Sequence, residues 1–152
     1  MFFCEVMGFA VDLATQSIQS DSREVPVSAV VVNDSHIVAY SINRVECNNV
    51  SWHHAEFLAI KQTQEILNSK YLETSSIYIT LEPCVMCSAL LNNVRIKEIY
   101  FGAYNIEHKG LTYYLNDLEY IKTNTNIIGG IYETKCSNIL NSFFSKIRHQ
   151  NI

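Results

Sequence analysis

Apolar residues near the start of the chain recur at the spacing of an amphipathic helix. These positions are Met7, Ala10, Val11, Ala14 and Ile18. Because residues three or four apart lie on the same side of a helix, they form one apolar face. The pattern therefore predicts a first helix over residues 3–20.

A long β-branched stretch follows, and a short polar segment divides it. The run VPVSAVVVNDSHIVAYSI is rich in valine and isoleucine and contains Asn33, Asp34 and Ser35. β-Branched residues favour strands, whereas Asn, Asp and Ser favour tight turns. The run predicts two strands joined by a turn. Residues 42–52 show no periodicity and are predicted to form a loop.

Helical and strand patterns alternate along the rest of the chain. Helices are predicted at residues 54–67, 83–93 and 113–121, and over a last segment with apolar residues Ile139, Leu140, Phe143, Phe144 and Ile147. Strands are predicted at residues 76–81 and at the runs EIYFGA and NIIGGI. The order α-β-β-α-β-α-β-α-β-α indicates an α/β protein. It predicts a mixed five-stranded sheet between two helical layers, a three-layer α/β/α sandwich.

Length and charge narrow the class of protein. The chain has 152 residues and no repeat or linker, so we expect a single domain over residues 1–152. A formal net charge of -4 argues against general binding of nucleic acid through a basic surface, although a local basic patch is compatible with it.

The apolar N-terminal run is not typical of a targeting segment. Glu5 and Asp12 interrupt it and no basic residue precedes it, so we expect neither a signal peptide nor a membrane span. We therefore expect a cytoplasmic protein whose five cysteines stay reduced.

Candidate metal ligands lie at the starts of two predicted helices. Cys84 and Cys87 are three residues apart, which places both sulfurs on one face of a first helical turn, where the helix N-terminus lowers a thiol pKa. His54, at the start of the preceding helix, supplies a nitrogen ligand. Three protein ligands leave one tetrahedral position for water, as in catalytic zinc sites. We predict one zinc ion per chain at these residues.

Glu56 is the candidate for proton transfer. Two helical residues rotate a side chain by about 200°, so Glu56 does not share the direction of His54. In the first turn of a helix it can still flank the water without binding the metal. A carboxylate there accepts a proton from the water and later donates it. The adjacent His53 diverges from His54 and is expected behind the ligands or at the surface.

The combination of His-Ala-Glu with Pro-Cys-x-x-Cys resembles the signature of the zinc nucleobase and nucleoside deaminases. The runs EVPVSAVVV, SINR, HAEFLAI, IYITLEPCVMCSALLNNVRI, IYFGA and FFSKIR resemble the bacterial tRNA adenosine deaminases over most of residues 5–150. This resemblance implies a cytidine-deaminase-like fold, a homodimer and conversion of adenosine to inosine at the wobble position of a tRNA anticodon loop. It also implies that Asn43, Asn105 and Phe144 contact the substrate.

The chain departs from these deaminases at several positions. Ser28 stands where glycine is usual and Asn105 where aspartate is common, and the runs SWHH and HKGLTYY also differ. We expect the zinc chemistry to be unaffected. The resemblance places the HKGLTYY segment beside the substrate, so these departures bear on the contacts with the RNA loop.

The C-terminal helix is a candidate for RNA recognition. Its apolar stripe places Phe143 and Phe144 on the inner side of the helix, and Lys146 and Arg148 follow within the next turns. An aromatic edge beside basic groups suits a splayed nucleotide and its phosphate.

Two other functions stay open at this point. A deaminase of a free base, such as cytosine or guanine, also carries TLEPC-x-MC, and the acidity of the chain favours it. A noncatalytic subunit with this fold is the second alternative. Glu56 argues against it, because such a subunit does not need a proton shuttle.

Overall fold

The mixed five-stranded sheet predicted from the sequence is present in the computed structural model, which describes residues 2–20, 23–117 and 125–150. The strands are β1 (Ser28–Asn33), β2 (His36–Ile42), β3 (Ser75–Leu81), β4 (Glu98–Ala103) and β5 (Asn126–Ile128). Their order in the sheet is β2-β1-β3-β4-β5. β1 pairs antiparallel with β2 and with β3, whereas β3, β4 and β5 run parallel.

Helices cover both faces of this sheet. They are α1 (Phe2–Ser20), α2 (Val45–Asn48), α3 (Ala55–Leu67), α4 (Val85–Asn93), α5 (Leu111–Asp117) and α6 (Glu133–Gln150). Successive strand residues point to opposite faces. In β1, Ala29 and Val31 accordingly pack with residues of α3 and α4, whereas Val30 and Val32 pack with α1. α6 contacts both β4 and α1. The predicted three-layer α/β/α sandwich is therefore confirmed.

The hairpin between β1 and β2 has the tight turn that the sequence predicts. Asn33 pairs with His36, so the loop contains only Asp34 and Ser35. Their φ angles are 48° and 62°. Positive φ at both central residues defines the turn that matches the twist of paired strands, and Asp is among the residues that tolerate it.

α1 is formed by the apolar N-terminal run. Its buried face consists of Val6, Met7, Ala10, Ala14 and Ser17. Val11 and Ile18, which the sequence pattern placed on this face, are only half-buried. Neither α1 nor any other helix within the described ranges is both long and apolar enough to cross a membrane.

Several segments differ from the sequence-based prediction, among them the strand predicted at NIIGGI, which ends at Ile128. α2 lies within the predicted loop; a single turn is too short to produce a periodic pattern, and the Glu24 carboxyl group accepts a hydrogen bond from the N–H of Cys47 at 2.7 Å. α5 starts two residues earlier than predicted. Leu111 is buried there and its N–H donates to the carbonyl of Pro83. The predicted helical residues 118–121 lie outside the described residues.

Candidate active site

His54, Cys84 and Cys87 form a cluster although thirty or more residues separate the histidine from the cysteines. The Nδ1 atom of His54 lies 3.6 Å from the sulfur of Cys84 and 3.6 Å from that of Cys87. All three potential ligand atoms lie within 4.8 Å of one another. Within the described part of the chain, no other group of three or more His, Cys, Asp or Glu side chains comes together in this way.

The dimensions of the cluster fit a zinc ion. Zinc binds sulfur at about 2.3 Å and nitrogen at about 2.0–2.1 Å, so tetrahedral angles separate the two ligand atoms by about 3.6 Å. The observed separations of 3.6 Å match this value. Two thiols and one imidazole are also a donor set typical of zinc.

The helix starts explain why these side chains are free to meet. His54 and Cys84 are the N-cap residues of α3 and α4, with extended backbones and ψ angles of 153° and 172°. Neither side chain makes a capping hydrogen bond, so each can turn away from its own helix. Cys87 lies one turn into α4 and is buried. α4 begins after Cys84 rather than at Pro83, two residues later than predicted.

The electrostatics of the cluster favour a thiolate. A hydrogen bond with the Cys87 thiol, assisted by one with His54, lowers the pKa of Cys84 to about 4, although burial opposes this shift. The same hydrogen bond, together with burial, raises the pKa of Cys87. The hydrogen bond with Cys84 raises the pKa of His54. The N-terminus of α4 adds its positive partial charge beside Cys84.

Glu56 is buried next to this cluster. Its side chain is 4% exposed, and burial raises its pKa to about 7, while the charge of His54 and a hydrogen bond with Cys87 oppose the shift. A carboxyl group with a pKa near neutrality can both accept and release a proton. The structure thus places Glu56 where the predicted shuttle requires it, and its catalytic role stays a prediction.

One cavity of about 630 Å³ joins the predicted site residues. Its lining includes His54, Glu56, Cys84, Asn43, Asn105 and Phe144. Cys87 is buried and is not part of this lining. The cavity thus reaches both the ligand cluster and all three predicted substrate contacts, although substrate contact itself remains a prediction.

The three residues predicted to contact the substrate differ in their hydrogen bonds and in their exposure. The side-chain oxygen of Asn43 accepts a hydrogen bond from the N–H of Ala55 at 2.9 Å, which leaves its amide nitrogen available to a ligand. The side-chain oxygen of Asn105 accepts from the N–H of His108 at 3.4 Å. Phe144 is 44% exposed, whereas Phe143 is 3% exposed in the core. The expectation that both phenylalanines lie on the inner side of the helix is therefore correct only for Phe143.

His53 and Trp52 lie apart from the ligands. The Nδ1 atom of His53 is 2.9 Å from the side-chain nitrogen of Asn48. The Trp52 ring packs on His53 and Phe57, with ring centroids 4.5 Å and 4.8 Å apart. His54 is the histidine of the pair that joins the cluster.

Two buried glutamates in the cavity wall were not identified from the sequence. Glu24 and Glu82 both line the cavity and are 3% and 2% exposed. Glu24 accepts a hydrogen bond from Cys47, and Glu82 from Asn105. Each is an acidic residue at the edge of an apolar run and close to a proline. This placement was the sequence signal that could have identified them. A charged residue beside an apolar run can be buried with that run, and a buried charged residue needs a partner.

Comparisons with known proteins define the class of this site. Residues 3–103 match the family described as the cytidine and deoxycytidylate deaminase zinc-binding region. The chain belongs to this family of zinc-dependent enzymes. Together with the His54, Cys84 and Cys87 cluster, the match defines one zinc ion per chain as the cofactor.

Within the family, the chain belongs with the tRNA-specific adenosine deaminases, as the sequence resemblance indicated. A tRNA-specific adenosine deaminase of Aquifex aeolicus is 38% identical over 133 residues, which cover 87% of this chain and 88% of that protein. A structure from a study of A-to-I editing by tRNA:A34 deaminases at the wobble position of transfer RNA superposes with a TM-score of 0.80. Its sequence identity is 30%, over 88% of this chain and 97% of that one.

A more distant likeness is to guanine deaminase from Bacillus subtilis. Its structure superposes with a TM-score of 0.62 and 28% identity, over 73% of this chain and 66% of that one. Enzymes that act on a free base therefore share the fold.

Proposed function

We propose that this protein hydrolyses adenosine to inosine at the wobble position of a tRNA anticodon. The observation that carries the proposal is the 630 Å³ cavity, which exposes His54 and Cys84 to a ligand and has the buried Glu56 in its wall. The similarity to the A. aeolicus deaminase and to the tRNA:A34 deaminase structure supports adenosine in tRNA as the substrate.

His54, Cys84 and Cys87 would hold the zinc ion. When bound, zinc supplies a Lewis acid that lowers the pKa of a water molecule in the open fourth position. Cys84 and Cys87 contribute negative charge, and the N-cap positions of His54 and Cys84 fix where their ligand atoms lie.

Glu56 would move the protons of the reaction. Its carboxylate accepts a proton from the attacking water, whose oxygen forms a bond to C6 of adenine. The carboxyl group delivers this proton to N1 of adenine as the C6=N1 double bond becomes a single bond. It then carries the second proton of the former water from the C6 hydroxyl group to the amino nitrogen, as the C6=O bond forms, the C6–N bond breaks and ammonia leaves. Adenosine and water thus give inosine and ammonia.

The charge of the cavity favours a base over a phosphate. Five glutamates line it, namely Glu24, Glu46, Glu56, Glu82 and Glu107. Among the described residues of the lining, the side chains that can carry positive charge are His54 and His108. A neutral base extruded from the anticodon loop can enter, whereas phosphates are repelled and stay outside. Outside the cavity, phosphates can contact the basic residues Lys146 and Arg148 near the end of α6.

Asn43 and Phe144 line the cavity, and we propose that the amide nitrogen of Asn43 and the exposed ring of Phe144 contact the substrate. Asn43 offers a donor because Ala55 occupies its oxygen. Phe144 offers an aromatic face or edge to a nucleotide, an arrangement common in the recognition of single-stranded RNA. Asn105 lines the same cavity from the segment after β4.

One experiment separates the candidate substrates. The purified zinc-loaded protein is incubated with an anticodon stem-loop that carries a wobble adenosine, with the same stem-loop carrying guanosine there, and with free cytosine, guanine and adenine. Inosine is measured by mass spectrometry and ammonia by a coupled assay. Inosine from the adenosine stem-loop alone supports the proposal. Ammonia from guanine or cytosine without inosine contradicts it in favour of a free-base deaminase, and no product from any substrate favours a noncatalytic subunit.

We further propose that the protein is a single-domain cytoplasmic homodimer. Trp52 and Val85, next to the starts of α3 and α4, are 44% and 47% exposed, and a second copy would cover such apolar surface. A sedimentation mass of about twice the 17.4 kDa of one chain is expected at micromolar concentration, and a mass of one chain would exclude the homodimer.

A further inference from the structure

The Glu82 carboxyl group anchors one wall of the cavity. This wall is the segment of residues 104–112, which comprises the connection from β4 to α5 and the first two residues of α5. One oxygen of Glu82 accepts a hydrogen bond from the N–H of Asn105 at 2.9 Å. The other accepts from the N–H and the hydroxyl group of Thr112, at 2.7 Å and 2.5 Å. Both ends of the segment are therefore attached to a single side chain.

The 104–112 segment lines two cavities. One is the 630 Å³ cavity, and the other has a volume of about 370 Å³. Glu82, Tyr104, Asn105 and Ile106 line both cavities, and Ile106 is 85% exposed. Residues 106–109 are exposed, and a loop with so few packing contacts opens locally at low free energy unless hydrogen bonds hold it. The bonds to Glu82 supply this restraint.

The local geometry is built around the Glu82 carboxyl group. A Cβ atom on Gly110 would overlap that carboxyl group, so glycine provides the space that it occupies. The N–H of Gly110 donates to the carbonyl of Asn105 at 3.2 Å, which closes the turn. The N–H of Leu111 donates to the carbonyl of Pro83. Pro83, the residue after Glu82, therefore adds one backbone hydrogen bond to the segment.

We infer that Glu82 is a positioning residue that holds the 104–112 segment as a preformed wall for the substrate, an inference that rests on the proposed function. Glu82 moves no proton in this role. Without these hydrogen bonds the segment must become ordered when RNA binds. The apparent affinity for RNA is then the intrinsic affinity multiplied by the fraction of molecules that already have the wall in place. Once RNA is bound the wall is complete, so KM rises while kcat is retained.

The Glu82→Gln variant tests this inference with little change in shape. Glutamine replaces one accepting oxygen by an NH2 group, which then faces an N–H donor of Asn105 or Thr112. Glu98→Gln is the matched control: Glu98 also accepts a short hydrogen bond, from the hydroxyl group of Ser76 at 2.6 Å, and lines neither cavity. Gly110→Ala perturbs the same contact without a change in charge.

Hydrogen exchange measures the wall directly and requires no substrate. In Glu82→Gln, the hydrogen-bonded amides of the segment, such as those of Asn105, Gly110 and Thr112, should exchange about ten- to hundredfold faster than in the parent, the factor that a charge-assisted hydrogen bond supports. Exchange in β1 and β3 should match that of the parent. Glu98→Gln should leave the 104–112 segment unchanged, and Gly110→Ala should accelerate it. Parent-like protection of the segment in both Glu82→Gln and Gly110→Ala would overturn the inference.

Kinetics on the anticodon stem-loop provides the functional readout. KM in Glu82→Gln should rise by about ten- to hundredfold, with kcat and zinc content close to the parent values. A fall in kcat at unchanged KM would contradict positioning and indicate a direct role in the chemistry. If the parent protein does not deaminate the stem-loop, the proposed function fails, and the exchange experiment still decides whether Glu82 holds the wall. Accelerated exchange with unchanged KM would overturn the wall's role in substrate binding.

Discussion

The side-chain oxygen of Asn43 accepts a hydrogen bond from the N–H of Ala55, the first residue of α3, at 2.9 Å. An N-terminal helical N–H has no partner within its own helix, and the N-cap side chain commonly supplies one. Here the N-cap residue is His54, whose side chain makes no such bond. Asn43 satisfies the N–H of Ala55 from the preceding loop, and the imidazole of His54, which makes no capping bond, is free to join the two cysteines.

This relationship gives Asn43 two separable roles. Asn43→Asp keeps an oxygen for Ala55 but removes the amide donor that we propose for the substrate. Its thermal stability should match the parent, while KM for the stem-loop should rise by about tenfold or more. Asn43→Ala should lose both properties. Parent-like kinetics in Asn43→Asp would show that the residue serves only as the cap of α3.

Zinc binding should depend on the cluster and not on cysteine content. Cys84→Ser replaces a thiolate by a hydroxyl group, a poor zinc ligand, so the zinc content measured by atomic emission should fall well below one ion per chain. Cys47→Ser is the matched control, because Cys47 is exposed and belongs to no ligand cluster among the described residues. Full zinc content in Cys84→Ser would remove this residue from the ligand set.

Glu56→Gln should abolish proton transfer and retain zinc. The amide keeps the shape of the side chain but cannot accept the proton from water, and loss of general acid–base catalysis lowers kcat by about 10²–10⁴-fold. Single-turnover deamination of the stem-loop measures the effect. Glu65→Gln on the exposed end of the same helix should behave like the parent. Activity of Glu56→Gln within about tenfold of the parent would fall below this range and exclude Glu56 as the shuttle.

The two adjacent phenylalanines of α6 should give opposite results. Phe143 is buried, so Phe143→Ala should lower the free energy of unfolding by about 3–5 kcal/mol. Phe144 is exposed at the cavity, so Phe144→Ala should change stability by about 0.5 kcal/mol or less and raise KM for RNA. Urea denaturation and stem-loop kinetics on both variants distinguish these roles. A large loss of stability in Phe144→Ala with unchanged KM would assign this ring to the fold alone.

The basic end of α6 should contribute salt-dependent RNA affinity. Because the chain carries a net charge of -4, affinity for phosphate must come from local contacts. Removal of residues 145–152, or the milder Lys146→Gln with Arg148→Gln, should weaken stem-loop deamination and leave zinc content intact. Each lost phosphate contact should flatten the dependence of log K on log salt by about 0.7.

A control at the other end of α6 makes this test specific. Lys135 lies over the ring of Tyr132, and Lys135→Gln should leave the salt dependence unchanged. An unchanged melting temperature with unchanged RNA affinity in the truncated protein would leave the basic end without a role.

Local features of the sequence determined the secondary structure and the candidate ligands. A periodic pattern depends on neighbouring residues, so the strands and most helices were predictable to within a few residues. Residue type alone indicated the chemistry of the site, because zinc selects its ligands by atom type. This applies to the candidate ligands His54, Cys84 and Cys87, and the neighbouring Glu56 supplies a carboxylate for proton transfer. The one-turn α2 and the start of α5 escaped prediction, because contacts with Glu24 and Pro83, distant in sequence, hold them.

Only the tertiary structure decided which hydrogen bonds the remaining residues make around the cavity and which of their side chains are exposed to it. It directs the oxygen of Asn43 to Ala55, buries Phe143 while it exposes Phe144, and turns Glu24 and Glu82 inward as anchors for the cavity walls. A sequence pattern assigns a side chain to a face of its own helix or strand. Which backbone N–H groups lie within hydrogen-bonding distance of that side chain depends on how distant segments pack, and no local pattern contains this information.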